Sequence, residues 1–149
     1  MTPPTPTLFA STQTSTQFVH ALIEAWNSHD IDRIAAFYAP DYEDVDVARP
    51  NLQHGTDDFR RVAAYYLRAL PNLHITLDDL IVGEDGRLAM AWTWQGTHKG
   101  TLMKIPPTGR TVTVRGTTLL TITDSKIQRS VRIWDVAGLL RGVGLLPEL

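Results

Sequence analysis

No cysteine occurs anywhere in the 149 residues. Disulfides, thiolate nucleophiles and Cys-ligated zinc or iron–sulfur sites are therefore excluded. Positive charge is not in excess either. The 14 Lys and Arg stand against 16 Asp and Glu, for a net charge of −2, and the two signs are interspersed. A basic footprint for nucleic acid is absent. No apolar run approaches the roughly 20 residues of a membrane-crossing helix. The opening Met1-Thr2-Pro3-Pro4-Thr5 stretch and the residues up to Ala10 contain no Lys or Arg, unlike a secretory signal. These absences fit a cytoplasmic protein with no nucleic-acid or membrane partner. The five histidines lack a metal-binding spacing such as H-E-x-x-H. There is no Gly-rich phosphate loop and no G-x-S-x-G elbow. Gly142-Val143-Gly144 follows a helical segment and reads as its C-cap. Neither metal nor cofactor is expected.

What is present divides into a tail and one domain. Residues 1–13 are rich in Pro and Thr and read as a disordered lead-in; residues 14–149 form the domain. From Thr14 to Asn27, Phe18, Leu22 and Trp26 recur at four-residue steps beside Val19 and Ile23, which predicts an amphipathic helix. Asp30 is placed to cap a second helix, Ile31 to Tyr38. Tyr42 to Val47 alternates as a short strand. A third helix is predicted over Thr56 to Leu70, capped by Thr56 or Asp57 and ended by Pro71.

Beyond Leu73 the period changes from helical to two. Strands are predicted over Leu73–Ile81, Leu88–His98, Thr111–Thr123 and Lys126–Trp134, with turns at Glu84-Asp85-Gly86 and Asp124-Ser125. A last helix is expected over Val136–Val143, capped by Asp135. Helices first and a meander of strands afterwards give an α+β fold.

Strand alternation sorts the chemistry-bearing residues by face. Met90, Trp92, Trp94, Gly96 and His98 share one face, and the two Trp and the Met suit either a core or the wall of a flat, apolar ligand site. On the next strand Val112, Val114, Gly116, Thr118, Leu120 and Ile122 face the core. Arg115 and its Thr neighbours face outward, with Leu119 an apolar interruption. Asp44 and Asp46 share a face. Inward, they would supply a general base; outward, they would be solvated charges. Tyr42 lies beside them, and Tyr66 on the third helix offers one inward hydroxyl. Alternation with Val131 and Ile133 leaves Arg132 outward.

The order K-G-T-L-M-K-I-P-P-T-G, then D-S-K-I, then W-D-V-A-G-L-L-R-G-V-G resembles the SnoaL-like polyketide cyclases. That resemblance implies the cone-shaped fold of nuclear transport factor 2: a curved antiparallel sheet packed on three N-terminal helices. It implies a pocket, a homodimer formed through the outer sheet face, and a small apolar or polyketide-like ligand. Trp26 and Trp134 join Met90, Trp92, Trp94, Tyr42 and Tyr66 as substrate-binding candidates. The family's catalytic aspartate is the sixth residue after the Lys of D-S-K-I; here that position is Arg132. The same count in limonene epoxide hydrolases also reaches an aspartate. Arg cannot take a proton at neutral pH, but it can stabilise an enolate or bind a carboxylate. The resemblance turns Arg132 inward and implies an acidic partner, Asp44 or Asp46. His98, where the family often has a histidine, is the remaining acid–base candidate; it also suits a hydrogen-bonding role at the rim. The catalytic candidates are thus His98, Arg132, Asp44 and Asp46. The implied activity is a cofactor-independent cyclase or isomerase of secondary metabolism. A hydrolase or hydroxylase on the same pocket and a non-catalytic binding protein are the alternatives.

Overall fold

A computed structural model describes residues 8–49 and 53–149, with side chains described from Thr14 onward. The elements are α1 (Leu8–Ser28), α2 (Ile31–Ala35), β1 (Tyr38–Asp46), β2 (Gln53–His54), α3 (Gly55–Ala69), β3 (His74–Val82), β4 (Arg87–Thr97), β5 (Thr111–Thr123), β6 (Lys126–Trp134) and α4 (Val136–Gly142). The fold is α+β, as expected. The first helix starts at Leu8, inside the segment expected as a disordered lead-in. Residues 1–7 of that lead-in lie outside the described residues.

Helix α1 buries Val19, Leu22 and Ala25. It stops at Ser28, and His29 turns left-handed at φ 61°. The Asp30 carboxylate then accepts the Arg33 N–H at 3.2 Å and caps α2. Helix α2 is shorter than the expected Ile31–Tyr38. The Phe37 carbonyl is taken by the Ile127 N–H at 2.8 Å, which draws the chain into β1. The cap of α3 is His54, not Thr56 or Asp57. Its N–H is accepted by Asp58 Oδ2 at 3.1 Å, so a carboxylate in the first turn reaches back to the helix start.

The strands form one sheet in the order β2-β1-β6-β5-β4-β3. Four of the five pairings are antiparallel, in keeping with the expected sheet; β1 and β6 alone run parallel. A parallel pair needs a long crossover, and here it runs through α3 and four strands. Pro40, without an N–H, sits in β1 where the register shifts between Tyr38 and Glu43. The β3–β4 turn has Asp85 at φ 58° and Gly86 at φ 75°, the signature of a type I′ hairpin. A side chain on Gly86 would meet the Ile122 carbonyl at 2.3 Å.

Helices α1, α3 and α4 pack on β3, β1 and β5 respectively. The core lies between them and the inner sheet face, which carries Leu88, Met90, Trp92, Trp94, Val112, Val114, Leu120 and Ile127. Asp135 caps α4 by accepting the Gly138 N–H at 2.8 Å. Asp135→Ala should therefore cost about 1 kcal/mol in urea unfolding, the usual effect of losing an N-cap. An unchanged midpoint would mean that the cap contributes nothing.

Candidate functional site

The helices and the inner sheet face enclose a cavity. Its walls are Trp26, Ile23, Phe59, Val62, Tyr66, Leu70, Leu73, Ile75, Met90, Trp92, Trp94 and Leu120. Its polar groups are Tyr38, Tyr42, Asp44, Asp46, Thr118, Ser130, Arg132 and the Trp134 ring N–H. All seven expected ligand-contacting residues line it: Trp26, Tyr42, Tyr66, Met90, Trp92, Trp94 and Trp134. The ring contacts are tight. Tyr38 stacks on Phe59 at 4.0 Å, and Trp26 and Tyr42 meet Phe59 edge-on at 5.9 Å. Trp92 Nε1 donates to Thr118 Oγ1 at 2.8 Å, which satisfies the buried indole.

Arg132 faces the cavity, because the β5–β6 register shifts between Thr121 and Ile122 and leaves Gln128 unpaired. Beyond that bulge Ser130, Arg132 and Trp134 point inward, while Ile133 is exposed on the outer face. Directly across from Arg132 on β1 is Asp46, and across from Ser130 is Asp44. Arg132 Nη2 donates to Asp44 Oδ2 at 2.7 Å and stands 3.8 Å from Asp46 Oδ2. The other oxygens are held by neutral donors. Asp44 Oδ1 accepts from Ser130 Oγ at 2.9 Å; Asp46 Oδ1 accepts from Trp134 Nε1 at 2.8 Å and from the Ala48 N–H at 2.9 Å. Asp46 Oδ2 and Arg132 Nε are buried without a hydrogen-bond partner among the described residues.

Burial alone would lower the Arg132 pKa. Asp44, Tyr66 and Asp46 more than offset that and hold it above the ordinary value, so the guanidinium stays charged. The three tyrosines are the reverse case. Burial pushes Tyr38 up to about 12, and burial also raises Tyr42 and Tyr66, with Asp44 adding to the rise at Tyr42. These hydroxyls are neutral donors at physiological pH. A folded-state pKa above the unfolded value of 10.0 means that the unfolded chain releases this proton first. Stability therefore falls as pH rises from about 10 toward 12. Between pH 9 and pH 11, Tyr38→Phe should lose about 1.4 kcal/mol less unfolding free energy than the wild type, by linkage over a two-unit shift. Parallel losses in both proteins would place Tyr38 in a more solvated setting.

His98 does not join this cluster, which corrects its expected place in the site. It does face inward and is fully buried. Its position along the strand is the difficulty. Met90, Thr118 and Arg132 are register partners across β4, β5 and β6. His98 lies eight residues further along, about 25 Å at the usual strand rise. There its Nδ1 accepts the Thr108 N–H at 3.3 Å and contacts Thr108 Oγ1 at 3.0 Å, which ties down the Pro106-Pro107-Thr108-Gly109 loop. Tyr38, Thr118 and Ser130 were not singled out in the sequence as site residues. Thr118, a hydroxyl in an otherwise apolar row on β5, was the signal available for one of them.

The model of the SnoaL-like polyketide cyclases matches residues 16–143. The chain belongs to this family. The nogalonic acid methyl ester cyclase of Streptomyces nogalater is 28% identical over 125 residues, covering 83% of this chain and 92% of that protein. Among solved structures, AclR, a hydroxylase candidate from Streptomyces galilaeus, superposes with a TM-score of 0.81 at 25% identity, covering 92% of this chain and 89% of that one. TsrD from Streptomyces laurentii gives 0.79 at 25% identity, over 89% of this chain and 97% of that one. This SnoaL-like family member thus shares the fold of its relatives over nearly its whole length. Among its described residues no helix is long and apolar enough to cross a membrane, and no cluster of His, Cys, Asp and Glu could hold a metal ion.

Proposed function

We propose that this protein is a cofactor-independent cyclase or isomerase of secondary metabolism. It acts on a flat, apolar, polyketide-like substrate by proton abstraction next to a carbonyl. One observation carries this reading: an apolar cavity ends in a charged cluster where a buried carboxylate oxygen, Asp46 Oδ2, has no hydrogen-bond partner among the described residues. Asp46 is the base. The C–H proton passes to Oδ2, and the bonding pair moves into an enolate whose oxygen rests against Arg132. Ring closure or reprotonation then discharges the enolate. Asp44, bonded to both Arg132 and Ser130, holds the guanidinium in place. In this reading the carboxylate that the family carries at the position of Arg132 is supplied from the neighbouring strand, at the matching register.

The test is exchange of the benzylic α-hydrogens of 2-tetralone in D2O, followed by NMR. Saturable acceleration by the protein is expected. A rate equal to buffer would leave a non-catalytic binding protein. The likeness to AclR favours hydroxylation as the second reading. That reaction would consume dioxygen and two electrons from a reduced flavin or nicotinamide, so oxygen uptake with an aromatic substrate and that reductant separates the two.

The active form is a homodimer joined through the outer sheet face. Ile81, Ala89, Leu119, Val131 and Val45 are successive register partners across five strands and form an apolar row. Ile81 is 66% exposed, Leu119 37% and nearby Ile133 49%. Such a continuous exposed patch marks an interaction surface. Light scattering at micromolar concentration should give a dimer, and Leu119→Asp a monomer. A monomeric wild type would contradict the assembly.

A further inference from the structure

We propose that Arg132 and Asp46 together form a receptor for one neutral hydroxyl group, an enol or phenol carried on a flat apolar ring, and that this receptor selects against free carboxylates. The inference rests on the cavity being the substrate site. Two atoms there lack hydrogen-bond partners among the described residues: the donor Arg132 Nε–H and the acceptor Asp46 Oδ2. Both residues line the cavity, and Asp46 is only 5% exposed. Leaving such groups unmet in a buried site is costly. A hydroxyl answers both at once, because its oxygen accepts one N–H while its own hydrogen is donated. An ether can only accept, and so can a carboxylate.

Charge points the same way. The guanidinium already faces Asp44 at 2.7 Å and Asp46 at 3.8 Å, so the cluster carries a net charge of −1. Arg132 is the only cationic side chain among the described residues that line the cavity. A ligand carboxylate would bring a third buried negative charge to a cluster whose one cation is already shared by two carboxylates.

Calorimetric titration at pH 7 with 2-naphthol, 2-methoxynaphthalene and 2-naphthoate tests this. The naphthalene ring is common to all three; only the polar group changes. 2-Naphthol should bind at least tenfold more tightly than either of the others. A site built to hydrogen-bond a hydroxyl rejects the analogue that lacks it. In Asp46→Ala, or Asp46→Asn if the alanine variant fails to fold, the advantage over 2-methoxynaphthalene should shrink below threefold. Equal binding of 2-naphthol and its methyl ether, or tighter binding of 2-naphthoate, overturns the proposal. If none of the three binds, the apolar-ring site falls with it. If 2-naphthol is preferred but 2-tetralone is not exchanged, the receptor stands and only the proton-transfer reading fails.

Discussion

Arg132→Met should lower the unfolding free energy by about 3–5 kcal/mol, the usual effect of removing one member of a buried ion pair. The loss comes from what remains. Asp44 and Asp46 are 3% and 5% exposed, and without Arg132 they would sit as two buried carboxylates with no cation. The pair itself need not add much net stability, because desolvating it consumes most of the attraction. A second substitution separates these contributions. Asp44→Asn in the Arg132→Met background removes one stranded charge and leaves the Ser130 hydroxyl an amide oxygen to donate to. It should recover at least ~1 kcal/mol, so the two changes will be strongly non-additive. Urea unfolding of the wild type, the single variants and the double variant closes this cycle. A loss under ~0.5 kcal/mol for Arg132→Met is what a surface arginine would give, and it would contradict the inward placement.

Gly116→Ala should be the most disruptive single-methyl change near the cavity. Gly116 lies on the inner face of β5, paired with Trp92 on one side and Trp134 on the other. A Cβ there would stand 2.6 Å from two ring carbons of Trp92 and 2.8 Å from the Trp134 Cβ. Neither neighbour can yield cheaply. The Trp92 indole is buried and held by Thr118, and Trp134 holds Asp46 Oδ1. The ring must therefore rotate, break its bond to Thr118 and enter the cavity. Overpacking of this kind costs about 1–3 kcal/mol. It should also reduce 2-naphthol affinity by at least tenfold, because the displaced indole occupies the ligand's space. A stable variant with unchanged affinity would show that the Trp92 ring has room the structure does not give it.

Much of this arrangement was legible in the sequence. The bounds of β5 and β6 were readable to the residue, because D-S between two alternating runs admits only a tight turn and both turn residues adopt positive φ. The inward set of Met90, Trp92 and Trp94 followed from strand alternation and is observed. The facing of Arg132 did not follow from alternation, which pointed it outward. One unpaired residue at Gln128 and an exposed Ile133 account for that: a bulge shifts the phase of a strand without leaving a mark in its composition. The resemblance supplied the correct face and the acidic partner. His98 failed for a different reason. Alternation assigns a face but not a height along the strand, and His98 is at the far end, under the loop it anchors. The parallel pairing of β1 with β6 was likewise invisible, because it joins segments 86 positions apart, as in Asp44 and Ser130.

On the proposed function, proton transfer belongs to the Asp46 end of the cavity and not to His98. Deuterium exchange into 2-tetralone, measured side by side for the wild type, Asp46→Asn and His98→Gln, tests it most directly. Removing a general base costs typically 10²–10⁴-fold in rate. The Asp46→Asn rate should therefore fall at least a hundredfold, while His98→Gln stays within about threefold of wild type. An Asp46→Asn variant that exchanges at the wild-type rate, or a His98→Gln variant that loses exchange while remaining folded, would contradict the assignment.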